Sequence, residues 1–181
     1  VEWQLRVASG EPLPLKQDEL SINGWAMEAR LYAEDPAKGF LPSIGRLEQF
    51  WLEAIHRVDT GVAEGDSVTL FYDPMIAKLI ASGPMREDAR ECLLHMLADS
   101  YVAPVSTNGG FLFACLSDAD FVSGDVDTGL IARKGEALLP SKLPPERIIA
   151  SAAYEFAQST NVRNLVPGFR LNAAPNDSVN L

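Results

Sequence analysis

The chain has 181 residues, a length that holds one ordinary domain or parts of two. Its 47% hydrophobic and 22% charged content is globular, which excludes a disordered tail, a collagen-like repeat and a coiled coil. Fifteen Lys and Arg against twenty-five Asp and Glu leave a net charge of −10, so the far field opposes nucleic acid and anionic membrane surfaces while still permitting one local basic pocket for a small anion.

The opening Val1-Glu2-Trp3-Gln4-Leu5-Arg6 lacks the basic flank and apolar run of a secretory signal, and no stretch approaches the ~20 apolar residues of a spanning helix. Starting without Met in the middle of an amphipathic pattern, the chain reads as a piece of something longer. Trp3, Leu5 and Val7 among polar residues, stopped by Gly10, Pro12 and Pro14, predict the end of a helix. Short-period alternation and aromatic or branched residues, separated by Gly or Pro, predict strands over residues 26–33, 45–51, 57–62, 67–72 and 76–82. From Pro84 the texture changes. Cys92, Leu93, Leu94, Met96 and Leu97 line one helical face, and Glu87 and Asp88 near its start suit the helix dipole. A second helix follows over 108–116, with Thr107 or Asn108 as its cap and Phe111, Leu112, Ala114 and Cys115 on its buried side; a short third runs over 127–133. The prolines at 140, 144 and 145 stiffen the path and predict a linker, with a boundary near residue 140. Beyond it, 146–158 is Ala-rich and helix-prone, and 168–172 reads as the opening strand of a further unit. Cys92 and Cys115, both set among apolar residues, fit buried reduced thiols of a cytosol-like compartment.

The residues taken alone do not compose an active site. There is no Gly-x-x-x-x-Gly-Lys-Ser/Thr phosphate loop, no Gly-x-Ser-x-Gly elbow and no Cys-x-x-Cys or His-x-x-x-His pair, and His56 and His95 read as ordinary residues. Glu28, Glu34, Asp35 and Asp59 carry the hard oxygens that Mg²⁺ takes, but Glu34-Asp35-Pro36 equally suits a turn in which Asp35 accepts backbone N–H bonds. Arg57 beside Asp59 fits either an exposed ion pair or a fixed fork for a small anion or enolate-like oxygen. In the apolar run 71–80, Asp73 and Lys78 require partners, each other included.

Gly24-Trp25-Ala26-Met27-Glu28-Ala29-Arg30-Leu31-Tyr32-Ala33-Glu34-Asp35-Pro36, followed by Phe40-Leu41-Pro42-Ser43-Ile44-Gly45, resembles the start of the C-terminal domain of biotin carboxylases. Arg57-Val58-Asp59-Thr60-Gly61-Val62, Tyr72-Asp73-Pro74-Met75-Ile76-Ala77-Lys78-Leu79 and Gly124-Asp125-Val126-Asp127-Thr128-Gly129-Leu130-Ile131 are similar to three further stretches of that family, in the same order. The resemblance implies an α+β fold with an antiparallel, partly barrel-like sheet and flanking helices over residues 24–138. Residues 1–23 look like the tail of an ATP-grasp region. Residues 139–181 look like a linker, a helix and the start of the domain that joins biotin carboxylase to the biotin carrier. That last stretch, with Pro167-Gly168-Phe169-Arg170-Leu171-Asn172, points to an acyl-CoA carboxylase α subunit of the propionyl-CoA, acetyl-CoA or methylcrotonoyl-CoA type.

The implied activity is ATP- and bicarbonate-dependent carboxylation of biotin on its carrier domain. In the family the arginine opening the Arg-Val-Asp-Thr-Gly stretch steadies the ureido oxygen of biotin, and it matches Arg57; the hydrophobic residue that closes over adenine matches Val126. The implied cofactors are biotin, ATP and Mg²⁺, the metal ligands lying upstream of Val1, so this chain alone is expected to be inert and to hold no metal. The implied partners are the carboxyltransferase β subunit, the carrier domain and a second copy, with Arg86 as a candidate dimer contact, in the cytoplasm or the mitochondrial matrix. Two departures stand out: only Leu52-Glu53-Ala54-Ile55-His56 separates Trp51 from Arg57, and Trp25 stands where the family usually has His. The rival readings are a non-catalytic interaction module and an ATP-grasp ligase that carboxylates something other than biotin.

Overall fold

The computed structural model describes residues 1–141 and 146–160, with only the backbone of 156–160. In chain order these residues form α1 (Glu2–Ala8), β1 (Trp25–Tyr32), β2 (Glu34–Asp35), β3 (Leu41–Pro42), β4 (Gly45–Arg46), β5 (Gln49–Trp51), β6 (Arg57–Thr60), β7 (Ser67–Val68), β8 (Met75–Gly83), α2 (Arg86–Ala98), β9 (Tyr101–Ala103), α3 (Gly109–Ser117), α4 (Ala119–Ser123), α5 (Leu130–Lys134) and α6 (Glu146–Thr160). The chain divides into two units between Pro140 and Ser141, and the strand expected over 168–172 lies outside the described residues. In the second, α6 is the described element, where the Ala-rich composition predicts it.

The first unit is built around a three-stranded antiparallel sheet in the order β1-β8-β6. The alternation of β8 puts Ala77, Leu79 and Ala81 on one face, and Ala29 and Leu31 of β1 share it. Against that face α2 lays Leu93, Met96 and Leu97, and Leu116 of α3 completes the cluster. Each such leucine contributes about 1.5–3 kcal/mol by leaving water. A second cluster of Leu31, Ala33, Leu47, Val68, Ile76, Ala77 and Val105 fills the space beneath the short ladders β2–β3, β4–β7 and β5–β9. The fold is therefore α+β and antiparallel as expected, but among the described residues its ladders stay separate and close no barrel.

Several elements differ in extent from the sequence reading. The strand expected over 45–51 is two strands with different partners, β4 on β7 and β5 on β9, because Leu47 between them turns fully into the core. The strand expected over 67–72 ends at Val68, and Leu70, Phe71 and Tyr72 run on as an exposed loop. That expected over 57–62 stops at Thr60, before Gly61. The helix expected over 127–133 starts later, at Leu130, because Asp127 accepts the Gly129 N–H in a turn that leads into it. Of the two expected caps, Asn108 directly precedes α3 but its side chain makes no cap bond to that helix, while Thr107 Oγ1 accepts the Gly109 N–H at 3.4 Å.

Arg90 of α2 is buried, and its guanidinium joins two helices: Nη1 donates to the Leu116 carbonyl at 3.0 Å, while Nε and Nη2 both donate to Glu87. Arg90→Ala orphans that carbonyl and opens a void. The expected loss is about 2 kcal/mol, read as a melting midpoint lowered by roughly 4–8 °C. Glu87→Ala, whose carboxylate is half-exposed, is expected to cost less.

Candidate functional site

The face of the central sheet opposite α2 is charged. Antiparallel register aligns Arg57, Ile80 and Glu28 in one row, and Asp59, Lys78 and Arg30 in the next. These positions alternate with the core residues of the same strands, so burying Ala29, Leu79 and Val58 on one side forces two carboxylates and three cations together on the other. Arg57 Nε and Nη2 donate to the two oxygens of Asp59 at 2.9 and 2.7 Å, a two-pronged pairing along the edge strand β6. Arg30 Nε donates to Glu28 Oε1 at 2.9 Å, and among the described residues its two terminal nitrogens have no partner. Beside this face opens a cavity of about 200 Å³, lined by Asp59, Gly61, Met75 and Lys78 among others.

The charges hold one another in place. The Arg57 hydrogen bond keeps Asp59 below the ordinary carboxylate range, and Arg30 does the same for Glu28. Both guanidiniums are pushed above their ordinary value by those same bonds. Glu34, next along the chain, moves the opposite way: burial raises its carboxyl, against a hydrogen bond from Asn108. Both carboxylates, Glu28 and Asp59, are thus held in their ionised form by the guanidiniums beside them.

The sequence-predicted residues are distributed as follows. Arg57 takes the exposed ion-pair geometry with Asp59, its side chain 70% exposed. Val126 lies between α4 and α5, exposed, beside Asp127, which accepts from the Gly129 N–H and from Arg133. Asp35 makes the expected turn by accepting the Ala37 N–H. Asp73 accepts from the Met75 N–H, and Lys78 sits instead between Glu28 and Asp59, whose carboxyls its charge lowers. Arg86 is engaged inside the unit, donating to the carbonyls of Phe121 and Val122 with its guanidinium 5.0 Å from the Phe121 ring. Both cysteines are free thiols, and burial pushes Cys115 up. No three His, Cys, Asp or Glu residues converge as a cation site among the described residues, and no described helix is long and apolar enough to cross a membrane. Sequence reasoning missed Arg30. Its signal was the phase of β1: Glu28 and Arg30 are the charged alternates of Ala29 and Leu31.

Residues 28–133 match the biotin carboxylase C-terminal domain family. Among curated relatives, the mitochondrial methylcrotonoyl-CoA carboxylase subunit alpha of Arabidopsis thaliana is 45% identical over 148 residues, covering 80% of this chain and 20% of that protein. The propionyl-CoA carboxylase alpha chain of Ruegeria pomeroyi is 42% identical over 156 residues, covering 74% of this chain and 23% of that one. The chain thus spans about a fifth of the length of these relatives. Among solved structures, the biotin carboxylase domain dimer of the Hydrogenobacter thermophilus 2-oxoglutarate carboxylase, in complex with MgADP, ADP and bicarbonate, aligns with a TM-score of 0.74 at 33% identity, over 78% of this chain and 32% of that one. The biotin carboxylase subunit of pyruvate carboxylase aligns at 0.73 and 34% identity, again over 78% of this chain and 32% of that one. The match over residues 28–133, more than half of its length, makes this chain a member of the biotin carboxylase C-terminal domain family.

Proposed function

We propose that this chain forms one wall of the carboxylation site of a biotin-dependent acyl-CoA carboxylase α subunit, in which biotin on a carrier domain is carboxylated with ATP and bicarbonate. The observation that carries the reading is the charged sheet face, where two guanidiniums stand on the two strands that flank β8, with Lys78 of β8 in the row of Arg30. Carboxylation places negative charge on the ureido oxygen of biotin as its nitrogen becomes nucleophilic, and a fixed cation facing that oxygen lowers the barrier. Arg57 is the guanidinium that the family motif supplies. Arg30 shares the face, and its two terminal nitrogens, without a partner among the described residues, are placed to meet an incoming oxygen, which favours it as the larger contributor. Val126, exposed after α4, supplies the apolar contact to adenine. The described residues do not fit a magnesium site: Glu28 and Asp59 are each tied to a guanidinium and no acidic cluster converges, so no step runs through that ion.

The carrier domain, a carboxyltransferase β subunit and a second copy are the partners of this reading, in the cytoplasm or the mitochondrial matrix. The test uses the full-length subunit. ATP cleavage is expected to depend on added biotin, with carboxybiotin as product, and the 181-residue chain by itself is expected to give no turnover. An interaction module would give no turnover in the full-length protein either, and a ligase for another acceptor would cleave ATP without regard to biotin.

A further inference from the structure

Asn108 is buried, immediately before α3, and all of its described hydrogen bonds to backbone groups of β1 cross more than seventy residues of sequence. Its Oδ1 accepts the Tyr32 N–H at 2.9 Å, its Nδ2 donates to the Arg30 carbonyl at 3.2 Å, and its own N–H donates to the Tyr32 carbonyl at 3.1 Å. These three groups point away from β8, along the edge of β1 that has no strand partner among the described residues. One asparagine therefore does for that edge what a neighbouring strand would do. It does so where the β1–β8 register slips, Leu31 facing Ala77 but Tyr32 facing Met75, so the ladder itself holds the backbone least firmly there. The α3 N-terminus gains no side-chain cap from it.

We propose that Asn108 is a positioning residue for the guanidinium of Arg30. It pins the Arg30-Leu31-Tyr32 backbone on the side that the sheet leaves open and so fixes the point from which the Arg30 side chain projects onto the charged face. The proposal rests on the reading in which Arg30 serves the carboxylation step. The fit is specific to an amide, which offers one acceptor and one donor side by side to match a peptide edge; aspartate has the acceptor but lacks the donor, and alanine has neither.

The test is a double-substitution cycle in the full-length subunit, reading kcat of biotin-dependent ATP cleavage and KM for ATP. Asn108→Asp, nearly isosteric, is expected to lower kcat roughly ten-fold with KM for ATP unchanged, since misplacing a stabilising group by a fraction of an ångström weakens it sharply. In an Arg30→Ala background the same substitution is expected to have no further effect on kcat. If both substitutions lower kcat but their effects multiply, Asn108 supports the fold without positioning Arg30, and the proposal falls while the reading of Arg30 stands. If Arg30→Ala leaves kcat unchanged, that reading falls and takes the positioning role with it. Should Asn108→Asp not fold, Asn108→Ser, which keeps a hydroxyl that donates and accepts, goes through the same cycle with the same expected non-additivity.

Discussion

Leu79→Ala is expected to lower the unfolding free energy of the chain by about 3–4 kcal/mol, the range for a leucine whose cavity its neighbours cannot collapse. Leu79 is fully buried at the middle of the central strand, with Ala29 and Val58 opposite it on the two flanking strands and the leucines of α2 above it. Small residues on both sides leave nothing that swings in to fill the void. Ile80, one position along, is only half-buried because it faces the charged side, so Ile80→Ala is expected to cost clearly less. Urea or thermal unfolding of the two variants checks this, at roughly 2–4 °C of midpoint per kcal/mol for a chain of this size. Equal losses at 79 and 80 would mean that the two faces of the sheet have been exchanged, and the charged face would lose its claim to be the site.

That experiment also tests how far local pattern reaches. The alternation in β8 and the helical spacing of α2 are visible in the sequence because each element buries one face, and burial leaves a period. The failures lie where a residue's environment is set by chain far away. Leu70-Phe71-Tyr72 has the composition of a strand, but nothing in its unit offers a face to cover, and Phe71 is 89% exposed. Tyr101–Ala103 is too short to carry a period and becomes a strand only because β5 pairs with it. Asn108 looks like a helix cap because that signal is local, whereas its partners are Arg30 and Tyr32. The motif residues of the site were legible as words of a family. Their assembly was not, since the rows joining Arg57 to Glu28 and Asp59 to Arg30 depend on a register that no single strand encodes.

The same register decides what each guanidinium does. Removing a donor that faces a developing oxyanion costs on the order of 10²–10³ in kcat, about 3–4 kcal/mol of barrier. Arg30→Ala in the full-length subunit is expected to fall in that range, because its terminal nitrogens have no partner among the described residues and can meet an incoming ureido oxygen. Arg57→Ala is expected to cost nearer ten-fold: Asp59 already occupies one edge of its fork and offsets its charge, so less of its field reaches the reacting oxygen. Arg30→Lys is not expected to restore the rate, since an ammonium presents no planar pair of donors. Removing Asp59 frees the second fork, so Asp59→Ala in an Arg30→Ala background is expected to regain part of the lost turnover through Arg57. The checks are kcat for biotin-dependent ATP cleavage and the yield of carboxybiotin, with KM for ATP as the control that the nucleotide side is intact. Wild-type kcat in both single arginine variants would remove the charged face from the reaction and leave it as a surface for assembly.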